Sequence, residues 1–429
     1  MIQILLSLLA LLGHFALWLG AFSRMHALGL RRGLLRLMDR VFLLLLVCIP
    51  ALIVWNADDR LVLQPVEVLQ AHWLAQGYFW LCFGVALYTA LTWCWRTWVG
   101  DAAQLLAQQR RVVHVARELG HRPCGDTATH LLSLVPGNQI LQMEIAEKSV
   151  FLPRLPSDLD GLSIVHLSDL HFCGRLTEEF FGLVVQRANA LQPDLVAITG
   201  DIVDQRQCVP WITDILGGLQ ARFGKFCVFG NHELRIGDTP LLIRTAEQAG
   251  LQYVGDRWGQ VTIRGDVVAV AGNQLPWIRP ATDPTAGPVT SGCHRPFRIL
   301  LSHSPDQIRW ARRGDFDLML AGHTHGGQIR LPVIGPLVGE SRFGVKYCGS
   351  LYYERPTLLH VSRGVSALQN LRINCRPELV RLVLRCGMPA RAANPDYAMP
   401  ADYVPQPEPA VGRLGLHQGV IDVKQRAGG

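Results

Sequence analysis

A layered α/β domain behind an apolar, membrane-embedded N-terminal region is the architecture this sequence predicts. Two observations lead there. Apolar residues crowd the first hundred positions, although only 17% of the chain is charged and its mean hydropathy is +0.20. That skew separates a membrane part from a soluble part. From residue 139 onward, short apolar runs alternate with helical stretches and are punctuated by Gly, Pro, Asn and Asp, the order expected of strands and helices in a layered sheet domain. At 429 residues the chain is longer than one core commonly holds, so more than one structural unit is expected.

The region 1–100 contains three apolar runs. Residues 2–22 carry no acid or basic side chain except His14 and are long enough for a transmembrane helix, which needs about 20 residues. The second run, 41–55, is shorter and contains Pro50; the third, 73–99, has Trp73, Trp80, Trp93, Trp95 and Trp98 towards its ends, where aromatic rings favour the membrane interface. Three spans are therefore expected. No basic segment precedes the first run and no small-residue cleavage site lies before Arg24, which argues against a signal peptide. His14 lacks a partner acid and is expected to pack against a neighbouring helix, not to mark a transport path.

Orientation follows from the loops. Arg24, Arg31, Arg32, Arg36 and Arg40 stand against Asp39 between the first two runs, whereas 56–72 holds Arg60 against Asp58, Asp59 and Glu67. The positive-inside rule then places the first loop and the long C-terminal part in the cytoplasm. The expected location is the cell (inner) membrane, multi-pass, with a cytoplasmic catalytic domain. The net charge of +7 comes mostly from Arg scattered through the chain or set beside apolar runs. It fits a membrane surface better than nucleic acid, and no nucleic-acid partner is expected. Eleven cysteines show no CxxC pair, so free thiols in a reducing compartment are expected.

Residues 101–118 are rich in helix formers and Gly120 and Pro123 stop the run, predicting a helical linker over 101–138. Strands are expected at 140–145, 163–167, 195–199, 226–229, 267–271, 298–302, 318–321 and 357–361, and helices at 178–190, 209–219, 241–248 and 305–312. The soluble domain spans 139–387, and the Pro-dense tail 388–429 is expected to be disordered.

Five segments at predicted strand ends carry metal-ligand side chains: Asp169 and His171 in SDLH, Asp201 after Gly200, Asn231 and His232 in GNHE, His303 in SHSP, and His323 and His325 in GHTH. Carboxylate, amide oxygen and imidazole together suit Mn, Fe, Zn or Co better than calcium. In an extended segment residues i and i+2 point the same way, so Asp169 and His171 are expected to reach one ion, and His323 with His325 one centre. A carboxylate has two oxygens, so Asp201 is suited to bridging two ions about 3.5 to 4 Å apart. The glycines before Asp201, Asn231 and His323 are expected to permit sharp turns. Each piece alone is a weak signal; the ordered set is a strong one.

This set resembles the calcineurin-like metallophosphoesterase family, and GHTHGGQI is similar to its membrane-associated bacterial branch. The resemblance covers about residues 139–386 and implies a four-layer α/β/β/α sandwich with two divalent metal ions at the sheet edge. It implies Asp169, His171 and His325 at the first ion, Asn231, His303 and His323 at the second, and Asp201 bridging. His232 would be catalytic, protonating the leaving oxygen or steadying the transition state. A tyrosine three residues after the bridging aspartate marks the purple acid phosphatases; here that position is Asp204, so a ferric-tyrosinate centre is not expected. The implied reaction is hydrolysis of a phosphate-ester substrate by metal-activated hydroxide, as a phosphodiesterase or a pyrophosphatase. Tethering to the membrane suits a phospholipid or nucleotide-linked lipid substrate, and serves a soluble cyclic nucleotide or a phosphoprotein equally well. Arg175, Asn273, His294, Arg342 and Arg363 are further candidates for phosphate contact, and His166 is expected in the core. The rival reading is a metal-stabilised scaffold that hydrolyses nothing; a full set of ligand positions argues against it.

Overall fold

A computed structural model describes residues 2–55, 73–99, 104–288, 295–367 and 369–386. The tail 388–429, His294 and Cys293 lie outside these described residues.

Three long helices open the chain: α1 Ile2–His26, α2 Arg32–Trp55 and α3 Trp73–Val99. Among the described residues, two segments are long and apolar enough to cross a membrane, Ile4–His26 and Trp73–Trp95. The second apolar run does not reach that length and composition. It is the end of a helix whose first half carries Arg32, Arg36, Asp39 and Arg40, and charge there is costly in hydrocarbon. All three helices nevertheless leave large apolar side chains exposed, among them Leu12, Leu44 and Leu91, as a lipid-facing surface would. His14 packs inward as expected: its ring bonds the Tyr78 hydroxyl and the Leu46 carbonyl, and the Trp18 indole donates to the same hydroxyl at 3.0 Å.

The α1–α3 contact is close because Gly13 has no side chain. A Cβ there would lie 1.7 Å from the Cys82 carbonyl oxygen, so Gly13 serves as the small residue that lets two apolar helices touch.

The remaining chain builds strands β1 Leu105–His114, β2 Gln142–Phe151, β3 Ser163–Leu167, β4 Leu195–Thr199, β5 Gly224–Val228, β6 Gln252–Tyr253, β7 Trp258–Ile263, β8 Asp266–Gly272, β9 Phe297–Leu301, β10 Leu318–Ala321, β11 Arg330–Leu331, β12 Gly335–Pro336, β13 Ser350–Glu354, β14 Thr357–Val361 and β15 Glu378–Arg385. Helices α4 Thr127–Leu134, α5 Glu178–Ala190, α6 Thr239–Gln248 and α7 Ile308–Arg313 stand between them. Local chemistry sets their ends. Asp126 accepts the Thr129 N–H at 2.6 Å and Asp238 the Leu241 N–H at 3.0 Å, each capping a helix start. Glu178 and Glu179 open α5 and Arg187 closes it, matching the helix dipole.

Two sheets result, ordered β1-β2-β15-β3-β4-β5-β6 and β13-β14-β10-β9-β8-β7. Apolar side chains of both sheets, such as Ile164, Val228, Val270 and Leu320, share one buried cluster. A second cluster joins the first sheet to α5 and α6, and a third joins the second sheet to α7. In the first sheet β3, β4 and β5 run parallel, as do β8, β9, β10 and β14 in the second. Their C-terminal ends therefore lie together along one edge, where loops from separate strands can meet.

The helical linker expected at 101–138 is corrected. Over 105–114 the chain is a strand, paired antiparallel with β2, and only 127–134 is a substantial helix. Helix propensity yields to the pairing offered by a neighbouring strand. The helix expected at 209–219 is likewise a 3-10 turn, Arg206–Cys208, and a short wide turn, Ile212–Leu216.

Substituting Gly13→Leu should force α1 from α3 and cost about 1–3 kcal/mol through overpacking, read as a lower melting temperature of the full chain in detergent. Gly33→Leu, where a Cβ meets nothing within 4 Å, should leave it unchanged.

Candidate metal centre

The strand-end loops bring the predicted side chains together in two groups. In the first, His171 Nε2 lies 3.1 Å from His325 Nε2, and that nitrogen is 3.5 Å from Asp169 Oδ1. In the second, His303 Nε2 lies 3.1 Å from Asn231 Oδ1, 3.1 Å from His323 Nδ1 and 3.2 Å from Asp201 Oδ2. The same Asp201 oxygen is 3.9 Å from His171 Nε2, so one carboxylate stands between the groups. All these side chains except Asn231 are buried. Asp169, His171 and His325 have donor atoms within 4.8 Å of one another, as do Asp201, His303 and His323.

The way the loops converge differs from the sequence expectation. Asp169, His171, Asp201, His323 and His325 all have positive φ, between 49° and 70°. Asp169 and His171 therefore reach the centre through left-handed turns, not through strand alternation, and His323 and His325 point into different groups. Such backbone costs on the order of 1–3 kcal/mol per residue and persists only where surroundings impose it. Here neighbouring loops do so: Asp169 and His171 donate backbone N–H to Gly200 O and Asp201 O at 3.0 and 2.8 Å. Of the three glycines expected to make turns, only Gly200 has positive φ. Gly230 and Gly322 serve close approach, since a Cβ would lie 2.3 Å from Asp201 Oδ1 and 2.4 Å from Asp169 Oδ2.

Hydrogen bonds assign the imidazole tautomers. His303 Nδ1 lies 2.8 Å from the Thr199 carbonyl, which can only accept, so Nδ1 carries the proton and Nε2 turns a lone pair to the centre. Asp204 does the same for His171 at 3.1 Å and closely contacts His232 Nδ1. The carboxylate–imidazole pairing orients ligands in many metal sites. Asp204 was noted in the sequence only for not being tyrosine; its position three residues after Asp201 was the available signal. Burial opposes charge on Asp204, but His171 and His232 hold its carboxyl well below the usual range. Burial also disfavours a charged His171, yet in the metal-free site Asp204, Asp201 and Asp169 outweigh it and raise that imidazole to about 9, so a bound cation must displace the Nε2 proton to meet the lone pair.

Glu233, also in GNHE, is buried and accepts backbone N–H groups from Asp201, Ile202, Val203 and Gly230, at 3.2, 2.5, 3.1 and 2.7 Å. It ties the loop carrying Asp201 to the loop carrying Asn231. Arg235 lies 2.9 Å from His232 Nε2 and is a further cation at the centre that the sequence did not single out.

The other candidates have partners of their own. Arg363 bonds Glu144 at 2.7 Å and Glu378 at 3.1 Å, inside a buried network that includes Lys148 and His360. It serves the join between the sheets. Asn273 is buried, accepting the Leu275 N–H at 3.0 Å. Arg342 bonds Asp306 through its backbone N–H. His166 is in the core as expected, between His360 and the Thr199 hydroxyl at 2.9 and 2.8 Å. The ten cysteines among the described residues are free.

The donors fit divalent transition metals. His171 and His303 have their opposite nitrogens committed to a carboxylate and a carbonyl, His325 Nδ1 instead faces the Arg372 guanidinium at 3.3 Å, and the buried His323 Nε2 has no hydrogen-bond partner among the described residues. Such convergent lone pairs repel unless a cation lies between them.

Residues 162–327 match the family described as calcineurin-like phosphoesterase. The chain carries a calcineurin-like phosphoesterase domain. It is 29% identical over 248 residues to the uncharacterized metallophosphoesterase YkuE of Bacillus subtilis, covering 57% of this chain and 86% of YkuE. Against the phosphodiesterase YaeI of Escherichia coli the identity is 29% over 225 residues, covering 52% and 81%. A Bos taurus transmembrane protein with metallophosphoesterase domain is 28% identical over 328 residues, covering 71% and 72%. This phosphoesterase is thus a metal-dependent hydrolase, with relatives whose names record membrane segments.

Replacing Asp204 with Asn should weaken metal binding about 10- to 100-fold through lost orientation of His171, measured by calorimetric titration of the metal-free protein with Mn. A second expectation concerns acid stability. Burial pushes His166 down to about 3, so the fold holds it neutral. That stability is complete above its ordinary value of 6.5 and is lost as pH falls towards 3. Between pH 8 and pH 5 this histidine alone should lower stability by about 2 kcal/mol, and His166→Gln should flatten the slope in denaturant titrations.

Proposed function

We propose that this phosphoesterase is a membrane-anchored dimetal phosphodiesterase. The observation that carries this reading is the position of Asp201 Oδ2, 3.2 Å from His303 Nε2 and 3.9 Å from His171 Nε2, where one carboxylate can serve two ions. Asp169, His171 and His325 would hold one ion, Asn231, His303 and His323 the other, and Asp201 would serve both. When bound there, divalent ions would supply positive charge to the phosphoryl oxygens and acidity to a water near neutral pH.

The chain's own residues then manage the proton and the leaving group. His232 is held by Asp204 at Nδ1, and its Nε2 lies 3.7 Å from Asp201 Oδ2, at the rim of the shared site. In this structure Nε2 accepts from Arg235 at 2.9 Å; once that contact opens and the ring is protonated, His232 gives the Nε2 proton to the departing oxygen, turning an alkoxide into an alcohol. Asp204 stabilises that cation, and Arg235 adds a positive charge beside the departing group.

Membrane anchorage is supported by the apolar exposed helices and by the names of the relatives. The elbow between α1 and α2 packs on the phosphoesterase domain, with the Cβ position of Gly29 3.0 Å from Pro276, and the Trp93 indole of α3 donates to Val333 O at 2.9 Å. The α1–α2 elbow and the C-terminal part of α3 thus both meet the domain, an arrangement that requires α2 to complete a crossing between them; with that crossing, the basic first loop favours a multi-pass inner-membrane arrangement with a cytoplasmic catalytic face. The non-hydrolytic scaffold is not favoured, because the shared-carboxylate arrangement and the phosphodiesterase relative both point to turnover.

The test uses the full chain in detergent, loaded with Mn. Bis-nitrophenyl phosphate should be hydrolysed, and Asp201→Asn should abolish turnover together with metal content. His232→Ala should keep its metals and lose about 100-fold or more on an alkyl leaving group, with a much smaller loss on nitrophenolate. Equal losses on both leaving groups would remove His232 from the acid role.

A further inference from the structure

One loop joins the metal centre to the membrane helices. The chain leaves His325, runs out through β11 and β12, and returns to set Glu340 Oε2 3.9 Å from His323 Nε2. Its outer tip is apolar and exposed: Val333 is 81% and Ile334 57% accessible, with Leu331 beside them at 39%. Val333 has φ of 67°, a left-handed conformation rare for a β-branched residue, so its display in the open is imposed. The imposing contacts are with the helices. Trp93 of α3, within one of the two candidate spans, bonds the Val333 carbonyl, and Ser23 Oγ of α1 accepts the Gly339 N–H at 3.2 Å. The return limb is pinned on its other side, where Ser341 Oγ donates to Asp306 at 2.6 Å. The α1–α2 elbow meets the same mouth through Pro276 and Trp277, and the Trp277 ring lies 4.7 Å from that of His323.

An apolar tip beside the Trp-rich end of a candidate span belongs at the lipid interface. Because the loop that carries it also returns to the metal centre, whatever contacts the tip is within one loop of the phosphoryl site. We propose that the tip 331–334 is a guide for acyl chains, and that the substrate is an amphiphilic phosphodiester whose phosphate enters the centre while its hydrocarbon lies across Leu331, Val333 and Ile334 against α3. This rests on the phosphodiesterase reading and names the class of substrate for that site.

Two probes separate the ideas: methyl and hexadecyl 4-nitrophenyl phosphate, which share leaving group and charge, offered to the Mn-loaded full chain in phosphatidylcholine vesicles. The unaltered chain should prefer the hexadecyl ester by kcat/KM. In the Val333→Asp, Ile334→Asp double variant that preference should fall about tenfold or more, with the methyl ester turned over as before. The milder Val333→Ser should give an intermediate ratio. A preference kept intact in the double variant overturns the guide, since simple partitioning of the long ester into the vesicle would then account for it. So does equal turnover of both esters by the unaltered chain, and in either case continued hydrolysis of the methyl ester leaves the phosphodiesterase reading standing. Hydrolysis of neither ester by the metal-loaded chain overturns both readings together.

Discussion

The carboxylate of Asp201 lies among three histidines, His171, His232 and His303, whose imidazoles reach it from three different loops. Burial alone would neutralise such a group, yet these histidines keep its acid well below the ordinary range. The loops around it accept unfavourable backbone to stay there. Five residues that bear donor atoms have positive φ, and glycines are required where the loops come closest. The strands of both sheets end together at this edge, and that alignment is what makes so dense an arrangement of donors reachable.

Around the donors lies a layer that fixes direction. Asp204 and the Thr199 carbonyl decide which imidazole nitrogen faces inward, and Glu233 binds two loops through four backbone N–H groups. A donor oriented before a ligand arrives loses less freedom on binding it. The same economy explains the buried charges farther in. Lys148, Glu378, Arg363 and Glu144 are paired with one another, so the join between β2, β14 and β15 carries no bare charge.

The N-terminal helices are continuous with this plan. Gly13 brings α1 against α3, the α1–α2 elbow rests on Pro276, and Trp93 and Ser23 hold the loop that borders the metal centre. The apolar region is packed against the mouth of the metal centre.

The sequence by itself determined the chemistry. Short strand-end motifs with Asp, Asn and His can be recognised because donor identity is a property of single residues, and strands β3, β4, β10 and β14 were legible at their observed bounds because their apolar runs are local. What the tertiary structure decided was direction and partnership. Whether His323 and His325 serve one group or two depends on φ angles imposed by neighbouring loops. Asp204 and Glu233 became functional partners only when separate loops met, and Arg363, which looked available to phosphate, was taken by two buried glutamates. Leu105–His114 became a strand because β2 offered it an edge, and no local preference reports such an offer.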